Sequence, residues 1–100
     1  MDKIRIGYIN FAIQPFPNGF ASNLDGKTDF TNQIIYIDEI LSPEAKACTL
    51  LHEILHVIWA LSALHDEDKE ERIVTALGNG LSQVIRDNPE FVTFIKKRLN

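Results

Sequence analysis

The sequence predicts an α+β domain: a small sheet of about three strands, followed by three helices. Three observations lead there. Short runs of Ile, Tyr and Phe, separated by Pro, Gly and Asn, occupy the first third of the chain. Helix-capping residues and helical periodicity then run almost unbroken from Ser42. Finally, 100 residues with 45% hydrophobic and 24% charged content are one globular core's worth of polypeptide, so residues 1–100 read as a single domain.

Each element has a local reason. Ile4, Ile6 and Tyr8 alternate on one face of a strand. The phase then slips to Ile9, Phe11 and Ile13, which predicts a bulge or the strand's end. Gln14 to Gly19 holds Pro15, Pro17, Asn18 and Gly19 and reads as a loop. Asp25-Gly26 is a turn signal. A short strand around Lys27 to Phe30 follows, then a turn at Thr31-Asn32 and a strand at Gln33 to Ile37, the last two strands pairing as a hairpin. Ser42 is the expected N-cap of the first helix, with Pro43 at its first position and Glu44 in its first turn. That helix runs to about Ala63. Leu51, Leu55, Ile58 and Ser62 line one side, and Cys48, His52, His56 and Trp59 an adjacent one. The charged segment from His65 to Lys69 is a connector. A second helix begins near Asp68, with Ile73, Val74, Leu77, Leu81, Val84 and Ile85 on its apolar face. Gly78 and Gly80 within it predict close backbone packing. Asn88-Pro89-Glu90 ends that helix and starts a third, reaching about Arg98.

Composition excludes several functions. The net charge of −4 argues against a binder of nucleic-acid phosphates, which needs a basic face. One cysteine, Cys48, forbids an intramolecular disulfide or a cysteine-rich zinc knuckle, and fits a reducing cytoplasm. The opening residues MDKIRIGYINFAI lack a long apolar run and a small-residue cleavage site, so no signal peptide is expected. His52, Glu53 and His56 interrupt the most apolar stretch, Ala47 to Leu64, so no membrane span is expected either.

Those same three residues are the chief chemical signal. His52-Glu53-Ile54-Leu55-His56 is an HExxH motif on an expected helix. Residues four apart face the same way, so two imidazoles can reach one metal ion. Zn²⁺ takes neutral histidine nitrogen at about 2.0–2.1 Å, and a catalytic site keeps one position for water. Glu53 lies about 100° further round the helix, placed to take a proton from that water as general base. Burying two imidazoles and a carboxylate among Leu50, Leu51, Val57 and Ile58 is costly without a partner such as a metal.

A third protein ligand is needed. Ser62 stands where the extended motif has a third histidine. His65 is a loop candidate. The acidic run Asp66, Glu67, Asp68, Glu70 and Glu71 offers a carboxylate from the start of the second helix, although such residues also simply suit a helix N-terminus. Periodicity leans to Glu70, which falls near the centre of the Val74–Leu77–Leu81 stripe; Glu71 falls about 100° away. Tyr8 and Tyr36 are possible oxyanion donors, with a sheet-face role the commoner one for tyrosine. Trp59 and Cys48 read as core residues, and Lys96-Lys97-Arg98 as a complement to a helix C-terminus.

The segment from Gln33 to Val92 resembles the small HExxH metallopeptidase-like proteins of phage and prophage origin, relatives of the ImmA/IrrE-like minimal gluzincins. The resemblance rests on Ile34-Ile35-Tyr36-Ile37-Asp38, Leu41-Ser42-Pro43, Thr49-Leu50-Leu51-His52-Glu53-Ile54-Leu55-His56, and Glu71-Arg72-Ile73-Val74 running into Leu77-Gly78-Asn79-Gly80-Leu81. Val84 to Pro89 matches as well. It implies a zincin-like fold, with the HExxH on the first helix packed against the sheet. It implies His52 and His56 as zinc ligands and Glu53 as catalytic base, and its Glu-x-x-Val pattern favours Glu71 as third ligand, with Glu70 the alternate. The expected activity is Zn²⁺-dependent hydrolysis of a peptide bond in a peptide or protein substrate, a regulatory protein among the candidates, in the cytoplasm of a host cell if the phage likeness holds. Two rivals stand beside it: a non-catalytic module stabilised by zinc, whose fourth position His65 or Asp66 would close, and a metal-free protein-interaction domain.

Overall fold

The computed structural model describes residues 1–17, 23–64 and 66–99. Four strands, β1 (Lys3–Ile6), β2 (Ile9–Gln14), β3 (Gly26–Asp29) and β4 (Ile34–Ile37), precede three helices, α1 (Pro43–Leu61), α2 (Glu67–Asp87) and α3 (Pro89–Arg98). The sheet has the order β1-β2-β4-β3. The β1–β2 and β3–β4 pairs are antiparallel, and β4 runs parallel to β2.

The count of strands corrects the sequence reading. Of the two expected causes of the phase slip, the strand's end is the one found, and a hairpin follows it: β1 stops at Ile6, which pairs with Ile9 across Gly7 and Tyr8. Gly7 has φ +60°, the left-handed backbone that a two-residue turn with glycine first requires. The β3–β4 hairpin and its turn are as expected. Asp29 accepts from the backbone N–H of Asn32 at 3.0 Å and from its side-chain amide at 2.9 Å, which fixes that turn.

Helix starts and stops were also written locally. Ser42 Oγ accepts from the Ala45 N–H at 3.1 Å, and Pro43 opens α1. Asn88, by contrast, stands at the N-cap of α3 without a side-chain capping bond. Its side-chain amide donates back to the Val84 carbonyl at 2.9 Å and closes α2.

The core lies between the sheet and α1. Ile6, Phe11, Ile35, Ile37 and Val57 are buried, with Leu50, Ile54 and Leu61 packed against them. Leu50, Ile54, Val57 and Leu61 are therefore the helix's sheet-facing stripe; on the Leu51–Leu55–Ile58 side, Ile58 is 45% exposed. The helix has a partner on each side. The sheet packs on one and α2 on the other, so its apolar residues surround the helix and periodicity cannot single out one face.

The α2 stripe is covered only in part: Val74 and Gly78 are buried, whereas Leu77 is 51% exposed. Gly78 is a point of close packing, because a Cβ there would lie 3.7 Å from the His52 Cα. Gly80 is not, since nothing lies within 4 Å of the same position.

Candidate metal centre

His52, Glu53 and His56 sit at mid-α1, and the first turns of α2 run antiparallel beside them. This brings Glu71 against both imidazoles. Glu71 Oε1 lies 2.8 Å from His52 Nε2, and Glu71 Oε2 lies 3.0 Å from His56 Nε2. The two Nε2 atoms are 3.1 Å apart. Thr75, one turn along α2, donates to Glu71 Oε1 at 3.3 Å and steadies it.

The donor set fits a divalent cation. Two imidazoles that both carry their proton on Nδ1 would meet lone pair to lone pair at Nε2, a contact that a cation between them turns to attraction. Ligands about 2.0–2.1 Å from a tetrahedral ion lie roughly 3.3 Å from one another, close to the spacings seen. His52, His56 and Glu71 thus form a group that could hold a metal ion, with a nitrogen and carboxylate chemistry that suits zinc.

Glu70 takes a different place from its neighbour. Its Oε2 meets His56 Nδ1 at 2.6 Å. Consecutive glutamates on a helix diverge by about 100°, so one reaches each nitrogen of the same ring. Of the two candidate third ligands, Glu71 is the one on the shared side of the imidazoles. Periodicity favoured Glu70 because Glu70 is the more enclosed: its side chain is 25% exposed against 69% for Glu71. Enclosure and ligation have separate causes here.

Glu53 points to the sheet side of α1 and is buried, 7% exposed. Its Oε1 accepts a hydrogen bond from Thr28 Oγ1 at 2.7 Å, which satisfies part of a carboxylate that burial would otherwise penalise. The sequence reading passed over Thr28, though a signal was present. Thr28 pairs with Ile35 in the row Ile13–Ile35–Thr28, and a hydroxyl there interrupts an aliphatic face. Gly26 completes the approach, since a Cβ on it would come within 2.6 Å of Thr49 Cγ2. Only a residue without a side chain lets β3 lie this close to the helix.

A cleft of about 380 Å³ opens over these groups, lined by Asp25, Gly26, Thr49, His52, Glu53 and Glu71 among others. A larger apolar groove, about 570 Å³, lies at the other flank of the α1–α2 contact, among Ala47, Leu50, Leu51, Ile54 and Ile85. The Cys48 thiol, 3.7 Å from Asn79 Oδ1, bridges the helices between the two.

The remaining candidates stand apart. Tyr36 alternates with the inward Ile35 and Ile37, so it faces away from α1 and stacks on Phe16 at 5.4 Å. Tyr8 is 77% exposed in the β1–β2 turn. Asp66 pairs with Lys69 at 3.6 Å. Trp59 is half-buried, with Nε1 enclosed and without a hydrogen-bond partner among the described residues. His65 lies outside the described residues, as do Asn18 and Gly19 of the expected loop. Among the described residues, no helix is long and apolar enough to cross a membrane. No known family model, curated protein or solved structure matches the chain.

Proposed function

We propose that this chain is a zinc-dependent, metallopeptidase-like hydrolase of zincin-like fold that cleaves a peptide bond in a peptide or protein substrate. The observation that carries the reading is the convergence of His52 Nε2, His56 Nε2 and both Glu71 oxygens within 2.8–3.1 Å, beside a buried carboxylate one residue from the first ligand. Zinc held there would supply Lewis acidity, acidifying water and polarising a peptide carbonyl. Glu53 removes the proton of the attacking water and returns it to the leaving amine. Thr28 ties down Glu53 Oε1, which fixes the carboxylate for that work. The likeness to phage HExxH proteins supports the same role and a host-cytoplasm setting.

A second reading, zinc as a purely structural clamp in a regulatory or interaction module, has one observation in its favour. The imidazoles of α1 and the glutamates of α2 meet across the seam between the helices, so an ion there would tie the two together.

One experiment separates the two. The zinc-loaded protein and its Glu53→Gln variant are assayed on a diverse fluorogenic peptide library, with zinc content measured in parallel. The hydrolase reading expects cleavage by the native chain, a loss of roughly 10²–10⁴-fold in the variant, and equal zinc in both. Cleavage unchanged by the substitution, or none by the native chain, contradicts it.

A further inference from the structure

We propose that Glu70 is a positioning residue: it fixes His56 in the Nδ1–H tautomer, so that the Nε2 lone pair is aimed at the point shared with His52 and Glu71. The purpose of that arrangement rests on the metal reading above; its chemistry does not.

An ionised carboxylate only accepts hydrogen bonds. The contact between Glu70 Oε2 and His56 Nδ1 is 2.6 Å, shorter and more enclosed than the 3.0 Å contact of the exposed Glu71 Oε2 with Nε2, and so favours the proton on Nδ1. A neutral imidazole carries one N–H, so Nε2 is left bare. In the opposite tautomer a proton would stand on Nε2, between His52 Nε2 at 3.1 Å and Glu71 Oε2 at 3.0 Å. A cation could not bind through that nitrogen until the proton left.

The surroundings make the bond effective. The side chains of His56 and Glu70 are 17% and 25% exposed, so water competes poorly for either partner. Both are carried on helices, and the ring is held from two directions by adjacent residues of α2. Glu70 thus sets the ring's rotation as well as its proton. Two glutamates in succession have different tasks: Glu71 takes part in the donor set, and Glu70 acts through His56. Carboxylates that orient a histidine from its far nitrogen commonly contribute 10–100-fold to metal affinity.

The test uses the full chain in two states. Long-range ¹H–¹⁵N spectra of the metal-free protein at about pH 9, well above the ordinary histidine range near 6.5, report the tautomer directly. The native chain is expected to show His56 protonated on Nδ1. Glu70→Gln keeps the shape, but its carboxamide can donate as readily as accept, so the preference for Nδ1–H relaxes. Glu70→Ala moves His56 towards Nε2–H. Zinc affinity, read by competition with a chromogenic chelator, should fall about 10–100-fold in Glu70→Ala, at unchanged stoichiometry. Thermal melts confirm that both variants fold.

The proposal is overturned if His56 keeps its Nδ1 proton in both variants, or if Glu70→Ala binds zinc within about twofold of the native chain. A native chain that takes up no zinc, yet has a His56 tautomer that follows Glu70, overturns the hydrolase reading while upholding Glu70's control of the ring.

Discussion

The two faces of α1 are held by different physics. Towards the sheet, Phe11, Ile35 and Val57 are 0–1% exposed and form a continuous apolar layer. Towards α2, Val74 and Gly78 are the buried residues of the second helix, and the seam is filled by His52, His56, Glu70, Glu71 and the Cys48–Asn79 bridge. Beyond it, Leu77, Leu81 and Ile85 are 40–51% exposed. The sheet and α1 cohere by burial. The attachment of α2 combines the buried Val74 with polar groups at the place where a cation would sit. The candidate centre is thus also a joint, where chemistry and assembly draw on the same side chains.

The largest effects should fall on the sheet side. Phe11→Ala is expected to cost about 3–5 kcal/mol in chemical denaturation, from lost burial and the cavity left behind. Leu81→Ala, on the exposed run of α2, should cost far less, within about 1 kcal/mol. Equal losses would break the contrast.

Zinc removal should act on the other side. Zinc at a hundredfold excess over its dissociation constant would add about 2.7 kcal/mol. Chelation should therefore raise amide exchange in α2 and α3 first, with β2, β4 and the sheet-facing part of α1 still protected. Uniform loss across the chain would mean that the two faces do not differ.

The glycines of α2 sharpen the seam. Gly80→Ala meets open space and should stabilise the helix by up to about 1 kcal/mol. A Cβ at Gly78 makes ordinary contacts with α1, so Gly78→Ala should be tolerated. Gly78→Leu should lever α2 away from His52 and lower zinc affinity. Metal binding unaffected by the leucine would place the joint elsewhere.

The smallest effect is a pH dependence remote from both faces. The Asn32 backbone N–H, and then its side-chain amide, hold the Asp29 carboxyl below the ordinary carboxylate range. Its folded value lies below its unfolded one. The bond therefore contributes fully above the ordinary value near about 3.9 and is lost as pH falls through the folded value. Asp29→Ala should lower the thermal midpoint slightly at neutral pH, and the gap from the native protein should shrink in acid.

Much of this was legible in the residues because it is decided locally. Ser42-Pro43 starts a helix wherever it stands, Asn88-Pro89 stops one, and the HExxH spacing puts two imidazoles on one side of a turn. The β1–β2 hairpin was missed because Gly7-Tyr8 reads as part of an alternating run, and only Gly7's left-handed backbone turns it. Which side of α1 faces the sheet was not legible, because two neighbours compete for one helix. The division of work between Glu70 and Glu71 depends on the rotation of α2 against α1, which the Gly78 contact helps to set and which no pattern within α2 encodes. Thr28 lay 25 residues from Glu53, with only an interrupted aliphatic row to mark it.

The central claim is that His52, His56 and Glu71 hold one divalent cation. It is tested most directly by elemental analysis of zinc-equilibrated, gel-filtered protein, native beside His56→Ala and Glu71→Ala. The account predicts zinc near one per chain in the native protein and its loss, or a large drop in affinity, in both variants. No bound zinc in the native chain, or zinc retained equally by all three, would contradict it.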